Sequence, residues 1–408
     1  MLRPGQVVAL CVLALLTIGI VMVPSAGMTV EAKTPVTLLG VLLSKSVVYM
    51  GLALLAMFIT SRLWVLKLAP GVANSVPPPE PASGWRMWPM WAAGVAFIGA
   101  MALVYAPGVG RTVNGSHRWL MVAGQSIQPS EIAKWGLVAV MAWYGWRLRE
   151  RLGSFMWGLM PALTCAGAVA GFVVLEDLGT GVLIGLVAAI VLLAAGARFW
   201  HFGLMLPVGA LGFIAAVVAN PYRLERLRSF VDPYGDPQGR GYHMIQSMVA
   251  ITNGQVWGRG LGHGLQKFGY LPEDQTDFIF SIICEELGVP GAAVVIALYI
   301  GMLWASYLII RKQTVPILKL VGIGIIATVG VQAVVNLCVV TGWGPTKGIA
   351  LPLLSSGGTG WILTAASLGL LIGMDRFADA EQAAMNPLEM ELDLDAEPSM
   401  TRPEAAAA

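Results

Sequence analysis

Long uncharged apolar runs recur along most of the chain, and no other feature narrows its fold so far. "VVALCVLALLTIGIVMV" (7–23) and "LVGIGIIATVGVQAVVNLCVV" (320–340) contain no Asp, Glu, Lys, Arg or His. About 18 such residues suffice to cross the hydrocarbon core as a helix, the form in which a single segment satisfies its own backbone there. Of 408 residues 57% are hydrophobic and 12% charged, with a mean hydropathy of +0.73. A soluble domain carries about 25% charged residues. The chain therefore reads as an all-α polytopic membrane protein.

Ten helical segments are predicted, over 6–26, 37–61, 89–108, 130–147, 156–175, 178–195, 203–220, 278–310, 315–341 and 361–376. An even number places both termini on one side. The short loop "WRLRER" (146–151) marks the cytoplasmic face by its Arg content, and Arg62, Lys67, Arg86, Arg198, Arg311, Lys312 and Arg376 fall with it. Residues 1–376 then form one membrane domain, with a Pro-rich cytoplasmic linker at 68–84 and a large outer loop at 221–277 between helices seven and eight. The acidic segment 377–408 lacks apolar period and is predicted to be a disordered cytoplasmic tail. Arg3 followed by an apolar run resembles a signal peptide, but the run is long for one, so a retained first helix is expected.

The net charge of +2 excludes no partner class on its own, and nothing points to nucleic acid. Cys11, Cys165, Cys284 and Cys338 lie far apart in apolar runs, and His117, His201, His243 and His263 share no ligand spacing. Yet the outer side collects Arg111, Arg118, Arg223, Arg226, Arg228, Arg240, Arg259, Lys267 and Lys347, which suggests an anionic ligand there. Within the outer loop, Ile245, Met248, Val249 and Thr252 have helical spacing and predict a short helix lying on the membrane surface. The glycines of "GRGLGHG" (258–264) lack the strand and helix of a nucleotide fingerprint and read as a tight loop.

"GYLPEDQTDFIFSIICEELG" (269–288) is the most unusual stretch, with acids at its start and glutamates inside an apolar run. Pro272, Glu273 and Asp274 suit a first helical turn. Asp277, Ser281 and Glu285 then recur at i, i+4 and i+8, a polar stripe reaching roughly 12 Å along a helix. An ionised carboxylate facing lipid costs several kcal/mol, so the stripe should face a cavity or a cationic partner. Low-dielectric walls and like charge would raise the pKa of Asp277 toward the range of a general base, a signature that ion-pair networks share. "GVPG" (288–291) predicts a kink. Elsewhere Asp177 is either a helix cap or a second active-site carboxylate, Glu131 and Lys134 could pair at i, i+3, and Asn336 could bond across helices.

Taken together, "NGSHRWL…QPSEIAK", "DLGTG", "DPYGDPQGRGYHMIQSMVAI", "GRGLGHGLQKFGYLPEDQTDFIFSIICEELG" and "GPTKGIALPLLSSGG" resemble the SEDS family (shape, elongation, division and sporulation), in order from about residue 110 to 375. "QKFGYLPE" leans toward the FtsW and SpoVE branch over RodA. The resemblance implies a ten-helix glycosyltransferase of the bacterial cytoplasmic membrane that polymerises lipid II into peptidoglycan beside a class B penicillin-binding protein and other divisome or elongasome proteins. It implies Asp277 as the catalytic residue and ties Arg118, Trp119, Glu131 and Lys134 to activity. The expected substrate-binding set also takes in Gln266, Lys267, Glu273, Lys347 and Ser355, with Asp177, Ser281, Glu285 and Asn336 as supporting polar groups. Two positions depart from the family pattern: Glu176 stands for a proline, and Ser356 for an aromatic residue.

The chemistry fits this set. A glycosidase needs two carboxylates because its leaving alkoxide must be protonated. A lipid diphosphate leaves as a stable anion, so one base suffices for an inverting displacement. Arg118, Lys134, Lys267 and Lys347 are the candidate cations for the charge that builds on it. A loosely held divalent cation such as Mg²⁺, shared between carboxylates and the phosphates, stays open. A lipid II flippase and a non-catalytic division scaffold are the alternatives.

Overall fold

The computed structural model describes residues 2–27, 44–63, 87–113, 116–122, 125–346, 348–356 and 358–396. Its elements are helices α1 (Pro4–Ala26), α2 (Lys45–Thr60) and α3 (Trp88–Ala102); strands β1 (Gly110–Val113), β2 (Ser116–Val122) and β3 (Gln125–Ile127); then α4 (Pro129–Arg147), α5 (Met160–Glu176), α6 (Leu178–Ala194), α7 (Phe199–Val218), α8 (Pro221–Val231), α9 (Tyr242–Asn253), α10 (Ile279–Lys312), α11 (Pro316–Val340) and α12 (Thr359–Ala396). Proline opens α1, α4, α8 and α11, where its missing N–H removes no helical bond.

Each predicted segment contains a helix where it is described, with some ends in bends and turns, as at 106–108. Among the described residues seven helical segments are long and apolar enough to cross a membrane, and α2 and α6 are shorter apolar helices. The chain is therefore a multi-pass membrane protein. The linker 68–84 and positions 37–43 of the second predicted helix lie outside the described residues.

Two apolar clusters form the interior. One joins α1, α10, α11 and α12 through residues such as Leu15, Ile282, Met302, Ile309 and Leu371. The other joins α4, α5 and α6 through Leu137, Met141, Val169, Ile184 and Val191. Helix α11 belongs to both, with Ile325 and Val329 in the first and Leu320 in the second. Helix α1 is thus a core element.

Three expectations are corrected. The fold is not all-α, because β1, β2 and β3 form an antiparallel sheet with Arg111 opposite Trp119 and Leu120 opposite Ile127. Asn114-Gly115 between β1 and β2 is a hairpin dipeptide, a signal the apolar periodicity overshadowed. The last helix runs on to Ala396, so 377–396 is helical rather than disordered; Ala, Glu, Leu and Met there are strong helix formers. The short helix expected within 221–277 forms as α9, which buries Met244, Ser247 and Ala250 and packs against α10. Finally, α10 begins at Ile279, so Asp277 precedes it and the stripe of Asp277, Ser281 and Glu285 does not run along one helix. The kink at "GVPG" is present: Gly288 has φ 63° and ψ −156°, and Pro290 follows.

Candidate active site

Asp277 closes a run of turns rather than opening a helix. Glu273, with φ 57°, sits in the left-handed region, and its carbonyl accepts from the N–H groups of Thr276 and Phe278, both at 3.2 Å. These bonds bracket Asp277 and fix its backbone. From α11, the Asn336 amide donates to the Asp277 carbonyl at 2.8 Å and to that of Ile349 at 2.7 Å. Gly348 brings the next loop against the site, since a Cβ there would lie 3.3 Å from Asp277 Oδ2 and 3.6 Å from Arg118 Nη1. The Asp277 carboxylate and the Arg118 guanidinium thus flank one point.

Arg118 reaches that point from β2. Its Nε and Nη2 donate to the Glu176 carbonyl at 3.1 and 2.6 Å, and Nη1 lies 3.6 Å from Asp177 Oδ2. The Glu176 carboxylate accepts from Tyr105 Oη at 2.7 Å and from the His117 N–H at 2.9 Å, tying the sheet to the end of α5. Asp177 caps α6, accepting from Thr180 N and Oγ1 at 3.0 and 2.9 Å, and its Oδ2 also faces Arg118. Trp119 follows Arg118 in the strand and so points from the opposite face of the sheet.

A cavity of about 300 Å³ opens at Asp277, lined also by Tyr222, Arg226, Arg240, His243, Glu273 and Thr346. Burial, then the Glu273 and Asp177 carboxylates, push Asp277 up to about 7, against the pull of Arg226 and Arg118. Burial and the charge of Arg226 lower His243, against the pull of Glu273. Arg226 and His243 were not singled out in the sequence, where Arg226 is one of several arginines in a polar loop. Among the described residues no three His, Cys, Asp or Glu side chains gather as a metal would require, although Glu273 and Asp277 share the cavity wall.

The other predicted residues act at a distance from Asp277. Lys134, buried, pairs with Glu131 at 2.8 Å and donates to Gln332 Oε1 at 3.0 Å; Gln332 Nε2 in turn donates to the Ala350 carbonyl at 2.8 Å. Glu131 and Lys134 thereby brace the loop that carries Gly348. Gln332, missed in the sequence, lies four residues before Asn336 on the same helix face, a spacing that could have revealed it. Ser355 closes its own loop by accepting from the Leu351 N–H at 2.7 Å.

Lys267 is not available to a substrate anion. Its Nζ pairs with Glu286 at 2.8 Å, both side chains fully buried, and donates to Ser25 on α1 at 3.3 Å. Glu285 accepts the N–H groups of Leu265 and Gln266 at 3.0 and 3.1 Å, so Gln266 too belongs to this buried anchor. Ser281 bonds Ser247 on α9 at 2.7 Å. The two glutamates inside the apolar run thus fasten the glycine loop to α10 instead of extending the site. Lys347 lies outside the described residues.

The pattern of the family described as "Cell cycle protein", which comprises FtsW, RodA and SpoVE, matches residues 81–380. The chain belongs to this family. Among its relatives, stage V sporulation protein E of Bacillus subtilis (strain 168) is 34% identical over 378 residues, covering 92% of this chain and 98% of that protein. The protein named "Probable peptidoglycan glycosyltransferase FtsW" in Geobacter sp. (strain M18) is 36% identical over 294 residues, covering 71% of this chain and 80% of that one. A chain from a solved peptidoglycan synthase complex, described for its structural coordination of polymerization and crosslinking, aligns with a TM-score of 0.66 at 25% identity, covering 91% of this chain and 97% of that chain. Thermus thermophilus RodA shares the fold, with a TM-score of 0.58 at 24% identity over 90% of this chain and 95% of that chain.

Proposed function

We propose that this family member is a peptidoglycan glycosyltransferase that polymerises lipid II on the outer face of the bacterial cytoplasmic membrane, with Asp277 as general base. The observation that carries the reading is the Asp277 carboxylate, raised to about 7, on the wall of a cavity that Arg226 also lines and beside Arg118. The 4-hydroxyl oxygen of the acceptor sugar attacks the anomeric carbon of the donor. Its proton passes to the Asp277 carboxylate. The bond from carbon to phosphate oxygen breaks, the diphosphate keeps the electron pair, and the configuration inverts. No acid is needed on the leaving side, because the diphosphate departs as a stable anion. Asn336 and the Gly348 loop hold the base in place, while Glu131, Lys134 and Gln332 brace that loop.

In this reading the chain crosses the membrane ten times with both termini cytoplasmic, and the α7–α10 connection forms the outer face. The apolar runs and the Arg-rich 146–151 loop support that arrangement. A class B penicillin-binding protein is the expected partner, supported by the fold shared with the synthase complex. Proteoliposomes carrying lipid II test the function: polymer formed without transfer of lipid between leaflets is the expected result, and transfer without polymer would overturn it in favour of a flippase.

A further inference from the structure

A glycosyl transfer that expels a diphosphate needs a cation at the developing charge, within reach of the carbon that the base-activated hydroxyl attacks. The three cations chosen from the sequence and described here are committed elsewhere. Arg118 spends Nε and Nη2 on the Glu176 carbonyl and Nη1 on Asp177. Lys134 is held by Glu131 and Gln332, and Lys267 is buried against Glu286.

We propose that Arg226, on the α8 wall of the Asp277 cavity, is the residue that receives the departing diphosphate. This rests on the glycosyltransferase reading above. Arg226 is half-buried, and among the described residues its hydrogen-bond partners are neutral: Nη1 donates to the Thr346 carbonyl at 3.2 Å and Nη2 to Tyr222 Oη at 2.5 Å, and the guanidinium lies 4.5 Å from the Tyr222 ring centroid. Those contacts orient the fork without cancelling its charge. The adjacent acid, Glu225, turns instead to Arg240 at 3.0 Å, which leaves Arg240 the neutralised arginine of the pair. Arg226 and Asp277 line the same cavity, and Arg226 pulls the Asp277 carboxyl downward, so its charge reaches the reacting centre. A diphosphate bonded to the anomeric carbon must lie that near. The carboxylates of a peptide stem, many bonds from the reacting atoms, need not.

The test uses the full chain with its membrane partner, in detergent, with inorganic pyrophosphate as probe and acetate as the carboxylate control. Pyrophosphate is expected to raise the melting temperature of wild type and of Asp277→Asn, but not of Arg226→Gln, and acetate to raise none. Arg226→Gln should lower kcat by about 10²–10³-fold with little change in KM, the scale for losing one transition-state donor. Arg226→Lys, which keeps the charge, should recover part of both responses. An equal pyrophosphate shift in wild type and folded Arg226→Gln, or a shift by acetate that depends on Arg226, would overturn the assignment. The binding arm does not depend on polymerisation, so an inactive wild type that still binds pyrophosphate through Arg226 would count against the glycosyltransferase reading alone.

Discussion

Asn336 and Asp277 are joined through the backbone, the amide of one donating to the carbonyl of the other at 2.8 Å. The same amide holds Ile349 at 2.7 Å, so one side chain near the C-terminal end of α11 sets the position of Asp277 and of the loop facing it. Asn336→Leu should leave two buried carbonyls without this donor, costing about 2 kcal/mol of stability. Polymerisation should fall by about 10²-fold, as expected when a catalytic group shifts by about 1 Å. Asn336→Ala would create space without adding bulk and should behave alike. Rates and melting temperatures of both variants check this, and unchanged rates would refute the positioning role.

The buried pair of Lys267 and Glu286 should be expensive to halve and cheap to replace. Lys267→Met leaves Glu286 charged and unpaired, and should cost about 3–5 kcal/mol. Combining it with Glu286→Leu should recover most of that stability, because burying two charges is itself costly. Thermal unfolding of the single and double variants reads the difference. A double variant no more stable than the single would show that the glycine loop depends on Glu286 by its other bonds, to Ser25 and the Gly262 N–H.

Arg118 and Arg223 separate activity from stability. Arg223 donates to the carbonyls of Val174, Leu175 and Ala216 and serves as a clasp between α5 and α7. Arg118→Ala should lower polymerisation strongly in a folded protein, since its Nη1 faces the same point as Asp277. Arg223→Ala should lower the melting temperature and retain more of the rate. Equal losses of rate would argue against a localised site.

The pH dependence has a definite sign. A general base must be ionised, so the rate should rise with pH through about 7 and then level off. Asp277 is faced by Glu273 and Asp177, which raise it, by Arg226 and Arg118, which lower it, and by His243 across the cavity. Asp274, raised to about 6 mainly by burial, titrates nearby. Because Asp277 is raised above its unfolded value of about 3.9, its contribution to stability is fully present below about pH 4 and is lost as pH rises through about 7. Asp277→Asn should therefore melt higher than wild type at pH 8, with the gap closing near pH 5. Glu273→Gln should move the rate limb to lower pH.

Much of this architecture was legible in the sequence because the bilayer demands long apolar helices, and those cannot be hidden. Asp277 was legible for the same reason, as a carboxylate at the mouth of such a run. The sheet bearing Arg118 escaped because its strands are short and its hairpin signal, Asn114-Gly115, is two residues long. Lys267 was misread because its partner is 19 residues away across a turn that spacing does not reveal. Arg226 was indistinguishable from Arg223 and Arg228 until folding showed which of them lines a cavity.

The most direct test of the account is glycan polymerisation from purified lipid II by wild type and by Asp277→Asn, each with its partner. The substitution keeps the size of the side chain and the backbone bond to Asn336, and removes only the ability to accept the hydroxyl proton. Product should fall by at least about 10²-fold, the lower range for a general base, with lipid II still bound. Undiminished glycan from a correctly folded Asp277→Asn protein would contradict it.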